Sequence, residues 1–333
     1  MKIRMLLLLL LLLLFYLISC KSNNTIIQKG KIKDISNIEL KKPLLLQKII
    51  KYKNYYISKD KIQKKIVLIN KNGTIIKEYG NTGKGPGQFS DSFYPIDVYK
   101  GILYIHDLSS QKIIKLKLIA EKPFIKYLDE FHLNEGSSYK ADVKKGKIYI
   151  SYITGKYQLY VYNSKGTILE KHFRMKERNP FKNKDVLKKY VNGYYSLNDN
   201  YLLKAGRMSG NLTFYKKENN KYKVIKKTNL SLPEDVIKRK KKPGSYNIKG
   251  IVYVENKEGR YFVIPNPGEK RVKIYVLNET GDIVGVYKNP TSNYHISSLS
   301  YLNNGKVSFQ VYTNKKKVNA NIIKVGELNN KRF

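Results

Sequence analysis

Side chains that could do chemistry are few in this chain, and their spacing says what they cannot do. Four histidines, His106, His132, His172 and His295, lie far apart, and no two have metal-ligand spacing. Asp97, Asp142 and Glu255 fall on strand-like runs but assemble no ring of carboxylates. Neither a Gly-x-Ser-x-Gly elbow nor a Walker loop is present. Gly83-Lys84-Gly85-Pro86-Gly87 has the glycines of a phosphate cradle, yet no helix follows to supply the N-terminus such a cradle needs. His106 and Asp107 stand together, and the expected task of Asp107 is to hold the Ser109-Ser110 turn through side-chain hydrogen bonds. The expectation is therefore no catalytic residue, no metal and no cofactor.

The elements that would carry any site are strands. Short alternating runs of Ile, Val, Tyr and Leu are separated by Asn, Gly, Lys and Asp, with almost no helical periodicity. One hairpin recurs, with turns near residues 54, 101, 146, 200, 259 and 305, spaced 45 to 59 residues apart. Lys145-Gly146 before Lys147-Ile148-Tyr149-Ile150 is a clear copy. A second hairpin turns through Asn70-Lys71-Asn72-Gly73, Asn163-Ser164-Lys165-Gly166 and Asn278-Glu279-Thr280-Gly281. Asn and Gly suit such turns because both tolerate positive φ. Two hairpins per period make four strands per period, and six periods make a six-bladed β-propeller. A β-sandwich pair or a seven-bladed ring is the weaker alternative, since a sandwich leaves the period unexplained.

Gly83 to Phe89, then Tyr94-Pro95-Ile96-Asp97-Val98, Ile102 to Asp107 and Lys112 to Leu116 together resemble an NHL repeat. The whole chain is similar to six-bladed propeller lipoproteins, NHL-like or TolB-like, of Gram-negative gut bacteria. That resemblance implies an all-β disc with blades at 43–79, 91–128, 137–174, 190–229, 246–288 and 294–325, closed by strands from both termini, residues 25–38 forming the outer strand of the last blade. It also brings in propeller hydrolases and lyases that hold a metal in the central channel. Only one repeat carries the full motif. Tyr104, Tyr149 and Tyr160 are expected to pack between blades.

The N-terminus supplies a compartment. Lys2 and Arg4 precede an uncharged run from Met5 to Ile18, and Leu17-Ile18-Ser19-Cys20 closes it. A basic start, an apolar run and a small residue before the cut describe a secretory signal, and the run is shorter than the roughly 20 residues that span a bilayer. Leu-Ile-Ser-Cys resembles the lipobox of bacterial lipoproteins, which implies cleavage after residue 19 and acylation of Cys20, the sole cysteine. The division is then a signal at 1–19, a lipidated tether at 20–30 and one propeller domain at 31–333. Lys21 followed by Ser22-Asn23-Asn24 does not decide between the periplasmic and outer faces of the outer membrane.

Positive charge is the remaining signal. Lys and Arg total 65 against 25 Asp and Glu, a formal net charge of +40. Export, the excess of Lys over Arg and the spread of the charge weigh against nucleic acid, and a biased Lys-, Asn- and Ile-rich composition explains much of it. Propeller topology nevertheless gathers interblade and second-to-third-strand loops on one face. The loops at 174–189 and 229–245 are long and basic, which suits binding on a rigid scaffold. The candidate binding residues are Lys84, Arg178, Arg207, Lys238, Arg239, Lys240 and Arg271. The expected protein is a monomeric, lipid-anchored, non-catalytic binding module of the cell envelope, for an anionic glycan or an envelope protein. A metal-dependent propeller hydrolase or lyase, or a structural subunit of an envelope complex, is the alternative.

Overall fold

A computed structural model of the chain describes residues 28–42, 44–119, 124–175, 194–197, 200–206, 210–230, 251–257, 259–265, 273–288, 294–302, 306–313 and 322–328. Among these residues the structure is all-β, with 24 strands and no helix. It opens with β1 (Gln28–Glu39), whose first three residues fall in the segment assigned to the tether. A four-stranded antiparallel blade follows from β2 (Leu46–Tyr52), β3 (Tyr55–Asp60), β4 (Lys65–Asn70) and β5 (Ile75–Tyr79). The next is built from β6 (Phe93–Tyr99), β7 (Ile102–Asp107), β8 (Lys112–Leu118) and β9 (Ile125–His132). Then come β10 (Ser138–Lys144), β11 (Lys147–Tyr152), β12 (Tyr157–Tyr162) and β13 (Ile168–Arg174). A fourth blade holds β14 (Tyr194–Leu197), β15 (Tyr201–Ala205), β16 (Asn211–Glu218) and β17 (Lys221–Asn229). The rest are β18 (Ile251–Lys257), β19 (Arg260–Pro265), β20 (Lys273–Leu277), β21 (Ile283–Lys288), β22 (Tyr294–Tyr301), β23 (Lys306–Thr313) and β24 (Ile322–Leu328).

Hydrogen bonding groups the strands into five sheets, not six separate ones. The fifth has eight strands in the order β18-β19-β20-β21-β1-β24-β23-β22. β1 causes the fusion. Its first four residues pair in parallel with β21, from Gln28 opposite Gly285 to Lys31 opposite Lys288. Ile32 to Glu39 then pair antiparallel with β24, with a bulge between Asp34 and Ser36. Of the segment expected to be the outer strand of the last blade, residues 32–38 lie beside β24, whereas residues 28–31 take the edge of β21.

One strand per unit lines the axis of this propeller. β2 lies against β6, β6 against β10, β10 against β14, β14 against β18, β18 against β22, and β22 against β2. Most of these inner strands carry a register shift against their neighbour, for example at Gln47/Ile50, Pro95/Asp97, Ser138/Lys140 and Ile251/Tyr253. A bulge adds twist to the strand that carries it. The outer hairpin of one blade lies against an aromatic ring of the preceding one.

That hairpin is the Asn-x-x-Gly turn. Asn70 Oδ1 accepts from the amides of Asn72 (3.0 Å) and Thr74 (2.9 Å). Asn163 Oδ1 does the same for Lys165 and Thr167, both at 2.9 Å. The glycine adopts φ of +77° at Gly73, +85° at Gly166 and +89° at Gly281. A Cβ at Gly166 would lie 2.6 Å from the Phe131 ring of the preceding blade, and one at Gly281 would lie 2.5 Å from Phe214. The repeated glycine is therefore an interblade contact as well as a turn.

Apolar packing joins neighbouring sheets. Tyr104 and Tyr160 share a core with Ile96, Ile148 and Ile150, bridging β6–β9 to β10–β13. Tyr149 packs with Leu159, Tyr195 and Leu202, bridging to the next blade, so all three tyrosines sit between blades as expected. Polar contacts reinforce the same seam. Glu170 accepts from Lys217 Nζ at 2.7 Å and sits 2.9 Å from His172 Nε2. Although burial opposes ionisation, these donors and Lys147 hold its carboxyl down at about 2. A carboxyl with a depressed folded pKa stabilises above its unfolded pKa and loses that contribution as pH falls towards 2. Glu170→Gln is expected to cost roughly 1–2 kcal/mol at pH 7, read as a lower urea midpoint, with the difference from wild type shrinking below pH 4.

Candidate functional site

The linker at 80–89 carries Lys84, the candidate binding residue that falls among the described residues. Phe89 is fully buried, stacks on Phe93 at 4.2 Å and meets Gly80, where a Cβ would come within 2.2 Å of the ring. Gln88 Oε1 accepts from Gly85 N at 2.8 Å, and Gly83 N donates to Phe89 O at 2.9 Å. Beneath them a buried Lys112 reaches both Glu130 oxygens at 3.1 Å, and Glu130 accepts from Gly87 N at 3.0 Å. This loop is a braced finger with an exposed Lys84 near its tip. Cys20, Arg178, Arg207, Lys238, Arg239, Lys240 and Arg271 lie outside the described residues.

His106 and Ser138 lie 2.7 Å apart, the separation of a base and a nucleophile. Hydrogen bookkeeping assigns them another role. Ser138 Oγ donates to Gln111 Oε1 at 2.8 Å, and the same oxygen accepts from Ser138 N at 2.7 Å. Ser138 Oγ is then an acceptor for His106 Nε2–H, which leaves Nδ1 to accept from Tyr94 O–H at 2.9 Å. Tyr94 O in turn accepts from Ala141 N at 2.7 Å. The imidazole is fully buried, and burial pushes its pKa down to about 3. The chain is a neutral, saturated brace between β6, β7 and β10. Asp107 behaves as the sequence suggests: it accepts from Ser110 N at 3.0 Å and also from Ser90 N at 2.7 Å.

A site that sequence reasoning did not assemble lines the axis. Lys140, Asp142 and Lys144 alternate along β10, so all three share one face. Lys140 Nζ donates to Tyr195 O of β14 at 2.8 Å and to Val254 O of β18 at 3.2 Å. Lys144 Nζ reaches across to Asn256 O of β18, and Lys48 Nζ of β2 binds Ile96 O of β6. Among the described residues no carboxylate pairs with Lys48 or Lys144. Between the two lysines along β10, Asp142 is 8% exposed and its Oδ2 has no hydrogen-bond partner. An Asn256 Nδ2, 3% exposed, is likewise unpartnered. Buried polar atoms are normally satisfied, so two orphans beside tethered cations mark a place suited to a polar ligand or water. The even spacing Lys-x-Asp-x-Lys was visible in the sequence; the acceptors were not, because peptide carbonyls have no residue signature.

No family model matches the chain, and no curated protein does. Solved structures share its architecture, among them two from Bacteroides species. One is a protein of Bacteroides fragilis NCTC 9343 assigned as exported, with TM-score 0.55 and 15% identity over 90% of this chain and 98% of that one. The other is a member of the DUF4221 family from Bacteroides vulgatus, with TM-score 0.52 and 11% identity over 89% of this chain and 97% of that one. The likeness is one of fold. It places this chain among β-propellers and assigns it no activity.

Proposed function

We propose that the protein is an exported, lipid-anchored propeller of six blades that binds an anionic partner of the cell envelope, an acidic glycan or an envelope protein, without transforming it. Export and acylation rest on the segment ending at Cys20, and the fold shared with a Bacteroides protein assigned as exported supports export. Six blades rest on the inner strands, which touch in a cycle that returns from β22 to β2. On this reading β1 is the fourth strand of the last blade, and its pairing with β24 joins the two ends of the chain.

The observation that carries binding is the Lys140–Asp142–Lys144 row. Ammonium groups held by carbonyls on strands of other blades present positive charge towards the axis, which attracts anions. Lys84 and the basic loop residues Arg178, Arg207, Lys238, Arg239, Lys240 and Arg271 add charge of the same sign. The test is titration of the purified protein with an acidic oligosaccharide and with its neutral counterpart. The acidic form should bind and be released by about 0.5 M salt. Lys144→Gln should weaken it about tenfold while the melting temperature reports that the fold survives. Equal binding of the neutral sugar, or an unchanged Lys144→Gln affinity, would sink the proposal. Cleavage of the sugar would replace it with the hydrolase reading.

A further inference from the structure

Four blades end in an outer strand whose far edge pairs with no other strand among the described residues: β5, β9, β13 and β17. Three of these edges mix charges, with Glu78 in β5, Asp129 and Glu130 in β9, and Glu170 in β13. β17 differs. It contains Lys221, Lys223, Lys226 and Lys227 and no carboxylate. Its register against β16 shifts between Phe214 and Tyr215, so Ile225 is an extra residue beside Val224. The pair is exposed, Val224 by 50% and Ile225 by 41%. Lys223 meets Glu218 at 2.9 Å and Lys226 meets Asp282, whereas Lys221 and Lys227 pair with no carboxylate among the described residues. An edge with adjacent aliphatics inside a row of lysines has the composition of a surface that enters an anionic lipid interface.

The path of the chain points the same way. Asp282, the partner of Lys226, stands in the turn leading to β21, three residues before Gly285. Gly285 is opposite Gln28, where β1 begins. Residues 21–27 separate Gln28 from Cys20, and seven residues reach at most about 25 Å. If Cys20 holds acyl chains in a bilayer, Gln28 cannot leave its surface by more than that, and β17 lies on the neighbouring blade, linked to β21 through the Lys226–Asp282 pair.

We propose that β17 is a membrane-docking edge that rests on anionic phospholipid headgroups, Val224 and Ile225 entering the interface while Lys221 and Lys227 meet phosphates. The disc then stands on its rim, with the axis parallel to the bilayer and both ends of the channel open. The tether argument rests on the lipid-anchor reading above; the charge and aliphatic content of β17 do not.

The test uses the full chain purified from membranes, with intact mass reporting acylation of Cys20. It is mixed with vesicles of phosphatidylcholine alone or with phosphatidylglycerol, and amide hydrogen exchange is followed. Peptides of β17 should exchange at least tenfold more slowly on the anionic vesicles, with β5 unchanged. Lys221→Gln/Lys227→Gln, which alters two exposed side chains, should lower anionic-vesicle affinity about twenty-fivefold, at about fivefold per lysine. An unmodified Cys20 would remove the tether while leaving the charge-dependent protection of β17 to be read from the same vesicles. Equal protection on both vesicle types would overturn the docking edge. So would protection that follows protein concentration without vesicles, or a double variant that binds like wild type.

Discussion

Gly73→Ala is expected to lower the unfolding free energy by about 3–5 kcal/mol, whereas Gly101→Ala should cost only about 1 kcal/mol. Both glycines have nearly the same backbone, with φ of +77° and +74°. Both substitutions therefore carry the penalty of a left-handed L-residue. What differs is the space. A Cβ on Gly101 would meet nothing nearer than Tyr52 Oη at 3.5 Å. At Gly73 it would fall 1.7 Å from the backbone oxygen of Glu39. That oxygen belongs to the end of β1, and the next segment is tied to the same turn by Lys41 N–H donating to Gly73 O at 3.2 Å. Relief requires moving a strand that pairs with both β21 and β24, so local relaxation is not available. Urea unfolding of the two variants measures the difference. Equal losses would mean that the first blade and β1 are not locked together.

The same turn shows how far sequence reading goes. Asn70, Asn163 and Asn278 announce their hairpins because each cap lies within four residues of what it caps. Asp107 was legible for the same reason, its target Ser110 being three residues away. The repeat period, and with it the all-β propeller, could be read because each copy solves the same local problem. Long-range choices were hidden. That β1 takes two edges depends on where β21 ends after every earlier blade has been stacked, and it turns six separate sheets into five. Lys140 was visible as a cation, but its acceptors are peptide oxygens 55 and 114 residues away. His106 was read as part of an ordinary strand end, and its partner Ser138 lies 32 residues on. Contacts of that kind exist only after the blades meet.

His106 gives the second large effect. Its folded pKa is about 3 because burial disfavours the imidazolium, against an unfolded value near 6.5. Between those values the unfolded chain binds the extra proton, so stability rises with pH across the window and is lost as the solution is acidified. From pH 7 to pH 5 the loss assigned to His106 is about 2 kcal/mol. Glu170 and Asp282, held at about 2, keep their contribution across this window and lose it only as pH falls from the ordinary carboxylate range towards 2, so they do not interfere. His172 does act in the window, since burial lowers it too. His106→Phe separates the two. It should cost about 2–4 kcal/mol at pH 7, because the Tyr94 hydroxyl and Ser138 Oγ each lose a partner in a buried chain. It should also flatten the slope between pH 7 and pH 5, leaving the part that belongs to His172. A variant as pH-sensitive as wild type would show that the imidazole is protonated within the fold, and the Tyr94–His106 bond would then run the other way, with Nδ1–H donating to the Tyr94 oxygen.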